Sequence, residues 1–285
     1  MPLTANEALR DFFDRINLTG DHKDTATTRT NMLLQILNKV FTINESFLTG
    51  SMQRNTALKD SSDVDMVVVL HYGRHIENKS AVSVMQEIRD SLSSYKPITK
   101  KNGVGVTSYF KTWPNVDIIP ASRTVASDKS ILHYNFPDSN RNIWFKSNPR
   151  LHNSNIKHRS LVCGGNFTKV IKMVKEWNSC HSQYLQSYHI EVLALNVFNT
   201  HISDLGLAIH TFFDSGLALL KSPLAYNDGV ADEYLSRSDR AEAVKRFETA
   251  KTASLMGWYY GTQGKDEDAI AEWKKLFCDK FPAYR

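Results

Sequence analysis

The sequence predicts two parts of different fold class, an α/β part followed by an all-helical part. Over residues 1–120, helical spacing of apolar residues alternates with short β-branched runs. From Gly165 onward every apolar pattern has helical spacing, and no strand pattern is found. No internal repeat or low-complexity tract is present. We therefore predict a first domain over residues 1–160 and a helical domain over residues 161–285.

The elements of the first part follow from local patterns. Thr25–Val40 has the spacing of a long amphipathic helix, and a second helical pattern covers Lys79–Ser94. The run DVDMVVVL is typical of a buried strand, and GVGVTSYF and NVDIIPA predict two more. Residues 121–160 are rich in Ser, Asn, His and Pro, so we expect an irregular segment there.

Five helices are predicted in the second part. Their sequences are FTKVIKMVKEWN, SYHIEVLALNVFNTH, LGLAIHTFFDSGLALL, RAEAVKRFETAKTASLMGW and DEDAIAEWKKLFCDKF. Because two-lobed proteins commonly bind their ligand between the lobes, we expect the active site in the cleft between the two domains.

Composition indicates a folded protein with a full core, since 41% of the 285 residues are hydrophobic and 11% are aromatic. The 35 Lys and Arg against 30 Asp and Glu give a formal net charge of +5. This modest excess suits small anionic ligands such as nucleotides. No basic block marks an interface for a long nucleic acid, so we expect no stable nucleic-acid complex.

The sequence gives little indication of a membrane segment, a signal peptide or a cysteine-based site. The longest purely apolar run, Met66–Leu70, is far shorter than the roughly 20 residues that span a bilayer, and the N-terminal stretch lacks a signal-peptide core. Cys163, Cys180 and Cys278 are odd in number and far apart, so we expect neither a disulfide framework nor a zinc ribbon. We expect a cytoplasmic protein without a membrane partner.

Three aspartates carry the strongest functional signal. Asp63 and Asp65 are two residues apart at a strand, so their carboxylates project side by side. Such a repelling pair beside an apolar run is typical of a divalent cation site. Asp117 lies in a second apolar strand, where an unpaired charge is costly. We predict that these three acids are the catalytic residues and hold two Mg²⁺ ions, for which Mn²⁺ can substitute.

A Gly-Ser turn precedes the acids. Gly50 permits close backbone approach, and the hydroxyl of Ser51 with nearby N–H groups can hold phosphate oxygens. Together with the acids, this turn predicts in-line attack of a sugar hydroxyl on a nucleoside triphosphate with loss of pyrophosphate. The alternative is a solvated strand end after an ordinary turn, and the combination of features disfavours it.

The stretch GSMQRNTALKDSSDVDMVVVL resembles the defining motif of polymerase-β-like nucleotidyltransferases, and most of all that of the bacterial cGAS/DncV-like nucleotidyltransferases (CD-NTases). The resemblance continues in VDIIPA, VIKMVKEWN, SYHIEVLAL and AIAEWKKLFCDKFP. It implies a nucleotidyltransferase lobe with a mixed sheet and an N-terminal spine helix, then a helical lobe of the oligoadenylate-synthetase type. It also implies synthesis of a cyclic oligonucleotide, chiefly a cyclic dinucleotide, as a second messenger in anti-phage (CBASS) signalling.

The resemblance assigns nucleotide-binding positions beyond Gly50 and Ser51. Lys175 matches a helix lysine that contacts the donor triphosphate, and Lys172 shares its helix face. Ser187 corresponds to a phosphate-contacting hydroxyl and Tyr188 to a ring that stacks on a nucleobase. Gln53, in the Gly-Ser motif, is assigned to the same site. The alternatives are a solvated helix face for the lysines and a core position for Tyr188.

Asn166 stands at the start of the helix that carries both lysines. Its amide can donate and accept, so it can read a nucleobase edge; alternatively it caps the helix. Relatives with Asn here tend toward pyrimidine use, which adds UTP to the candidate substrates ATP, GTP and CTP.

Two departures from the family pattern matter. Asn55 stands where the family commonly has Gly, and since Asn tolerates left-handed conformations we expect the loop to persist. The Cys/His zinc insertion of the animal DNA sensor is missing, which removes the sequence basis for DNA sensing.

Two other functions remain open. One is a nucleotidyltransferase that modifies a tRNA, an antibiotic or a protein, and the other is a catalytically inactive RNA-binding regulator. The presence of all three acids disfavours the inactive protein. For the synthase we expect a monomer whose product acts on a separate effector protein.

Overall fold

The computed structural model describes residues 2–59, 61–93, 98–227 and 229–284. It divides into a sheet unit, Leu18–Ser154, and a helical unit, Met1–Asn17 with Asn155–Arg285. The predicted division at residue 160 therefore differs from the observed one, which lies between residues 154 and 155. The N-terminal helix belongs to the helical unit and not to the first domain.

The reason lies in the contacts of α1 (Ala5–Ile16). The ring of Phe12 in this helix stacks on the ring of Phe277 at a centroid distance of 4.4 Å. Thr4 caps the helix in a capping box with Glu7, and the Ala5 N–H donates to Asp266 Oδ1 at 2.8 Å. The apolar face of α1 is thus buried against the C-terminal helix, far along the sequence.

The sheet unit contains a seven-stranded sheet within the described residues. The strands are β1 (Ile43–Thr49), β2 (Val64–Leu70), β3 (Ile98–Lys101), β4 (Val106–Tyr109), β5 (Val116–Val125), β6 (Ile131–Asp138) and β7 (Ile143–Ser147). They are ordered β1-β2-β5-β4-β3, while β6 pairs with the end of β5 and with β7. Strands β2 and β5 are parallel and the other pairs are antiparallel, so the predicted mixed sheet is confirmed.

Two helices cover one face of the central strands, α2 (Gly20–Leu37) and α5 (Ala81–Ser93). Val64, Met66 and Val68 of β2 share a buried cluster with residues of both helices. Val67 and Val69 belong to a second cluster on the opposite face. This alternation fixes which face each residue of β2 presents. The predicted helix over Lys79–Ser94 is confirmed as α5, although Ser94 lies outside the described residues.

The expectation of an irregular segment over residues 121–160 is wrong. This segment holds the end of β5, then β6, β7 and the start of α6 (Pro149–Cys163). In β6 the buried Tyr134 and Phe136 alternate with partly exposed residues. Strands with one covered face carry many polar residues, which is why composition alone resembled a loop. Strand β1 and the short helices α3 (Gly50–Gln53) and α4 (Tyr72–His75) were also not predicted.

All five helices predicted in the second part are present. They are α7 (Asn166–Cys180), α8 (Ser187–Val197), α9 (Leu205–Leu220), α10 (Arg237–Thr262) and α11 (Asp266–Phe277), followed by a 3-10 turn at Cys278–Lys280. Trp177, Phe213 and Phe247 pack edge to face at the centre of α7, α9 and α10, with centroids 4.8 to 5.3 Å apart. The two-residue strands β8 (Ala225–Tyr226) and β9 (Gly229–Val230) correct the expectation that this part has no strand.

The expectation of no disulfide is also corrected. Cys180 at the end of α7 is bonded to Cys278, 98 residues later, while Cys163 is free and buried. Helices α7 and α11 pack together, so their ends bring the two cysteines into contact. Such a pairing depends on tertiary packing and is invisible in cysteine spacing. Within the described residues, no helix combines the length and the apolar character needed to cross a bilayer.

Candidate active site

The three predicted acids meet on one face of the sheet. In the parallel pair β2 and β5, Asp65 lies directly opposite Asp117, and neighbouring strands are about 4.8 Å apart. Both residues alternate with those that face α2 and α5, so their carboxylates point to the other face. Asp63 precedes β2 by one residue. The structure therefore places Asp65 and Asp117 side by side on one face of the sheet, with Asp63 one residue before β2.

Asp117 is held by its neighbours. Its Oδ1 accepts a hydrogen bond from Thr107 Oγ1 at 2.5 Å, and Asn102 Nδ2 donates to the same hydroxyl at 3.0 Å. Burial raises the pKa of Asp117, hydrogen bonds from Thr107 and Asn102 lower it, and the charge of Asp63 raises it. The effect of Asp63 means that the two carboxylates repel. A cation between them would relieve that repulsion.

Asp63 is positioned by Asn115. The side-chain Nδ2 of Asn115 donates to Asp63 Oδ1 at 3.1 Å, and the backbone carbonyl of Asn115 accepts from the Val64 N–H at 3.0 Å. Its Oδ1 accepts from the Phe110 N–H at 3.2 Å. Asn115 thus fixes the start of β2, the start of β5 and the carboxylate at once. Asn115 was not predicted from the sequence, where its only signal is a position two residues before Asp117.

Gly50 lies against Asp65. The residue before it, Thr49, pairs with Asp65 across β1 and β2. A Cβ at Gly50 would lie 1.6 Å from Asp65 Oδ2, and Gly50 has a φ of +71°. Both the space and the backbone conformation therefore require glycine here.

The turn after Gly50 has the expected form. Ser51 is half-buried and Gln53 is exposed. Asn55 has a φ of 54°, so the prediction that Asn accepts the left-handed conformation of this loop is confirmed. The Thr56 N–H donates to the Ser51 carbonyl at 2.9 Å and closes the turn.

The donor set fits a hard divalent cation. Asp63, Asp65 and Asp117 offer only carboxylate oxygens, which suit Mg²⁺ or Mn²⁺ and not a soft metal. Among the described residues, the one group of three potential ligands with ligand atoms within 4.8 Å of one another is elsewhere in the chain.

The two predicted lysines are buried in the helical unit. Lys175 is 5% exposed, and its Nζ lies 2.8 Å from Oε1 of Glu191, a residue that is fully buried in α8. Lys172 is 1% exposed, and its Nζ donates to Asn17 Oδ1 at 2.6 Å. The alternative of a solvated helix face is therefore wrong. Both side chains have polar partners, as buried charges require, and their roles toward phosphates stay predictions.

Ser187 and Tyr188 form the first turn of α8. Ser187 is exposed, and Tyr188 is 37% exposed with its ring edge-on to Tyr226 at 5.9 Å. The alternative of a core position for Tyr188 is therefore wrong. Asn155 Nδ2 donates to the Tyr226 hydroxyl at 2.8 Å and so fixes that second ring.

Two further side chains contact this turn, the buried His189 and the partly exposed Tyr234. The Gln186 N–H donates to the Tyr234 hydroxyl at 2.7 Å, and that hydroxyl forms a hydrogen bond with His189 Nδ1 at 3.0 Å. Burial lowers the pKa of His189 to about 4 and raises that of Tyr234 to about 12. Both groups are neutral at pH 7. Neither residue was predicted from the sequence, because no spacing or motif marks them.

Asn166 is the first residue of α7, and Gly165 holds the cap position. Its Nδ2 donates to the Ile202 carbonyl at 3.0 Å. The capping alternative is therefore wrong. One amide hydrogen and the amide oxygen remain for other partners, and the contact with a nucleobase stays a prediction.

Comparisons with known proteins identify the family. Residues 3–159 match the family described as the Second Messenger Oligonucleotide or Dinucleotide Synthetase domain (SMODS), which covers more than half of the chain. A curated protein of Bacillus cereus (strain VD146), named a probable cyclic nucleotide synthase, is 25% identical over 82% of this chain and 81% of its own length.

Solved structures show the same fold. The CdnC of E. coli MS115-1 with ATP has a TM-score of 0.78 at 17% identity, covering 98% of this chain and 99% of that one. The CD-NTase CdnG of Bradyrhizobium diazoefficiens with GTP has a TM-score of 0.74 at 11% identity, covering 95% and 98%. The chain therefore belongs to the SMODS family of CD-NTases and is a nucleotidyltransferase with the polymerase-β-like fold.

Proposed function

We propose that this nucleotidyltransferase makes a cyclic oligonucleotide, chiefly a cyclic dinucleotide, from NTPs by two-metal nucleotidyl transfer. The observation that carries the proposal is the register of Asp65 against Asp117 on parallel strands, with Asp63 one residue before β2. The printed functions of the family and of the Bacillus cereus relative support cyclisation. The product then serves as a second messenger in CBASS signalling and acts on a separate effector protein.

The acids supply the metal site. Metal dependence is general in the family, and we assign Mg²⁺ on the all-oxygen donor set of Asp63, Asp65 and Asp117. When bound, the ions activate the attacking sugar hydroxyl and neutralise the leaving pyrophosphate. Asn115 and Thr107 hold Asp63 and Asp117 in fixed orientations through the hydrogen bonds described above. Fixed ligands reduce the reorganisation needed during the reaction.

Groups of the first turn after β1 and of the helical unit bind the substrates. Gly50 and Ser51, with Gln53, contact phosphate oxygens through backbone N–H groups and side chains. Ser187 is exposed at the start of α8, where its hydroxyl is available to a phosphate, and the partly exposed ring of Tyr188 is available to a base. Tyr226 supports that ring at its edge.

The two lysines supply positive charge to the bound triphosphate by exchanging their present protein partners for it. Lys175 leaves Glu191 for the donor triphosphate, and Lys172 lies one turn away on α7. ATP and GTP are the first candidate substrates, because relatives of the same fold bind them. The proposed contact of Asn166 with a nucleobase adds UTP to these candidate substrates, and CTP is included as the other pyrimidine nucleotide.

Product analysis tests this function. The protein is incubated with the four NTPs and Mg²⁺ or Mn²⁺, treated with phosphatase, and the products are identified by mass spectrometry. A synthase gives a phosphatase-resistant cyclic product without an added acceptor. Substrate consumption only in the presence of a tRNA, an antibiotic or a protein would instead establish the acceptor-modifying transferase. Size-exclusion chromatography with light scattering tests the expected monomer.

A further inference from the structure

A second cluster of potential metal ligands lies at the end of α7, in the helical unit. The ligand atoms of Cys180, His181 and Cys278 all lie within 4.8 Å of one another. Cys180 and Cys278 form the disulfide described above, and Cys180 Sγ is 3.2 Å from His181 Nδ1. None of these residues has a part in the proposed nucleotide site.

The donor types differ from those of the acids. Two cysteine sulfurs and one imidazole suit Zn²⁺, which prefers sulfur and nitrogen ligands and accepts three protein ligands with water in the fourth position. Mg²⁺ and Ca²⁺, which require oxygen ligands, do not fit this set. The disulfide holds the sulfurs too close for both to bind one ion, so coordination requires the reduced thiols.

The imidazole is already oriented. His181 Nδ1 donates to the Trp177 carbonyl at 2.8 Å, and the ring stacks on Trp177 at a centroid distance of 5.5 Å. Because the carbonyl only accepts, Nδ1 carries the ring proton in this oxidised state. Nδ1 is also the nitrogen that lies 3.2 Å from Cys180 Sγ, so ligation by it moves the ring proton to Nε2 and replaces the hydrogen bond to Trp177. Arg246 Nε further fixes the backbone by donating to the His181 carbonyl at 3.0 Å.

The cluster is also accessible. Cys180 and His181 line a cavity of about 610 Å³, along with Glu272 and Lys275 of α11. An ion, a water ligand and a small reductant can therefore reach Cys180 and His181. Glu272 is paired with Lys275 at 2.6 Å, and Arg246, which also lines the cavity, is paired with Glu242 at 3.1 Å.

We propose that the reduced protein binds one Zn²⁺ through Cys180, His181 and Cys278, and that oxidation of the two thiolates to the disulfide releases it. A dithiol reductant supplies two electrons and two protons, which gives two thiols and the oxidised dithiol. Binding of Zn²⁺ then displaces the two thiol protons. In the reverse direction a peroxide takes two electrons from the two thiolates and, with two protons, becomes water while the sulfur–sulfur bond forms.

The test uses the full-length protein, reduced without oxygen and then freed of reductant. Cobalt(II) replaces zinc as the probe, because its thiolate charge-transfer absorption reports sulfur ligation and is not produced by the aspartates. Zinc content after gel filtration is measured by mass spectrometry. We expect one thiolate-bound ion per reduced chain, release of that ion on addition of peroxide, and loss of two titratable thiols at the same time.

Variants separate this site from others. Cys180→Ser and Cys278→Ser should abolish the cobalt–thiolate absorption, while Cys163→Ser, which removes the free buried cysteine, should retain it. His181→Gln should weaken zinc binding by about 10-fold or more. If the serine variants fail to fold, alkylation of the reduced wild type blocks the same sulfurs.

Two results would overturn the proposal. One is reduced wild-type protein that gives no cobalt–thiolate absorption, which leaves a disulfide without a metal-bound state. The other is equal absorption and affinity in wild type, His181→Gln and Cys180→Ser, which places the ion elsewhere. A zinc ion that stays bound after peroxide treatment would contradict the release step.

Discussion

The α-carbon of Gly50 faces the carboxylate of Asp65 so closely that a Cβ would lie 1.6 Å from Oδ2. The contact joins the proposed phosphate-binding turn to a predicted metal ligand, because Thr49 and Asp65 are paired across β1 and β2. The turn and the acid are therefore one rigid arrangement, and a side chain at Gly50 must displace the carboxylate.

Gly50→Ala is the most specific test of this arrangement. We expect product formation to fall by about 100-fold, since displacement of a catalytic group by about 1 Å has an effect of that size. The matched control is Gly264→Ala: Gly264 also has a positive φ, +68°, but nothing lies within 4 Å of its Cβ position. Both variants should lose about 1 to 2 kcal/mol of unfolding free energy from the left-handed backbone. Equal activity in the two variants would contradict a role for the Gly50–Asp65 contact.

Asp63→Asn and Asp117→Asn should each abolish turnover and preserve the fold. Loss of a metal ligand removes several kcal/mol of transition-state stabilisation, equivalent to about 1000-fold or more in rate. Circular dichroism checks that the fold is preserved, and product formation from radiolabelled NTPs checks that turnover is lost. Asp128→Asn, in the turn between β5 and β6, is the control and should retain full activity. Retained product formation in the Asp63 or Asp117 variant would refute the metal assignment.

The central strands and the three acids could be read from sequence because their apolar runs are buried on both faces. In β2 every residue except Asp65 is buried, so the run VDMVVVL is unambiguous. In β1, β6 and β7 burial is partial and polar residues recur along each strand, so the same reasoning fails. A strand that is covered on one side can be predicted only when the elements packed against it are known.

The supporting residues could not be read from sequence because they depend on pairing. Thr107 reaches Asp117 only because β4 and β5 are in register at these two residues. The burial of Lys175 could not be read from its helix position either, because its partner Glu191 lies on the next helix. The bond between Cys180 and Cys278 likewise follows from the packing of α7 on α11.

The ion pair of Lys175 and Glu191 allows the structural and substrate roles of the lysine to be separated. Lys175→Met leaves the buried Glu191 without this cation and should cost about 3 to 5 kcal/mol of unfolding free energy. Adding Glu191→Gln should restore most of that loss. If Lys175 contacts the triphosphate, the double variant stays defective, with a raised KM for NTP. Recovery of full activity with stability would show that the lysine is structural.

Base choice should depend on Asn166. Asn166→Ser shortens the side chain and removes the amide that now donates to Ile202, so we expect a shift away from UTP in competition among the four NTPs. Product ratios by mass spectrometry provide the measurement. Thr168→Ser, on the same turn of α7, serves as the control. Unchanged base preference in Asn166→Ser would contradict the proposed contact with a nucleobase.

The buried His189 should make the protein sensitive to acid. Burial lowers its pKa to about 4, the charge of Asp232 opposes this shift and that of Arg240 adds to it. Between pH 6.5 and 4 the unfolded chain binds a proton at this histidine that the folded chain does not, so unfolding free energy falls as the pH falls, by roughly 3 kcal/mol in total.

His189→Gln removes the titrating group and keeps an amide that can accept from Tyr234. Its urea-unfolding free energy should therefore fall less steeply between pH 6.5 and 4 than that of the wild type, whereas His201→Gln, at an exposed position, should follow the wild-type curve. Because the Gln186 N–H and His189 Nδ1 share the Tyr234 hydroxyl, charged His189 becomes a second donor to the oxygen that accepts from Gln186 at the start of α8. We thus expect acid to raise the KM for NTP before the protein unfolds, and parallel KM profiles in wild type and His189→Gln would contradict this coupling.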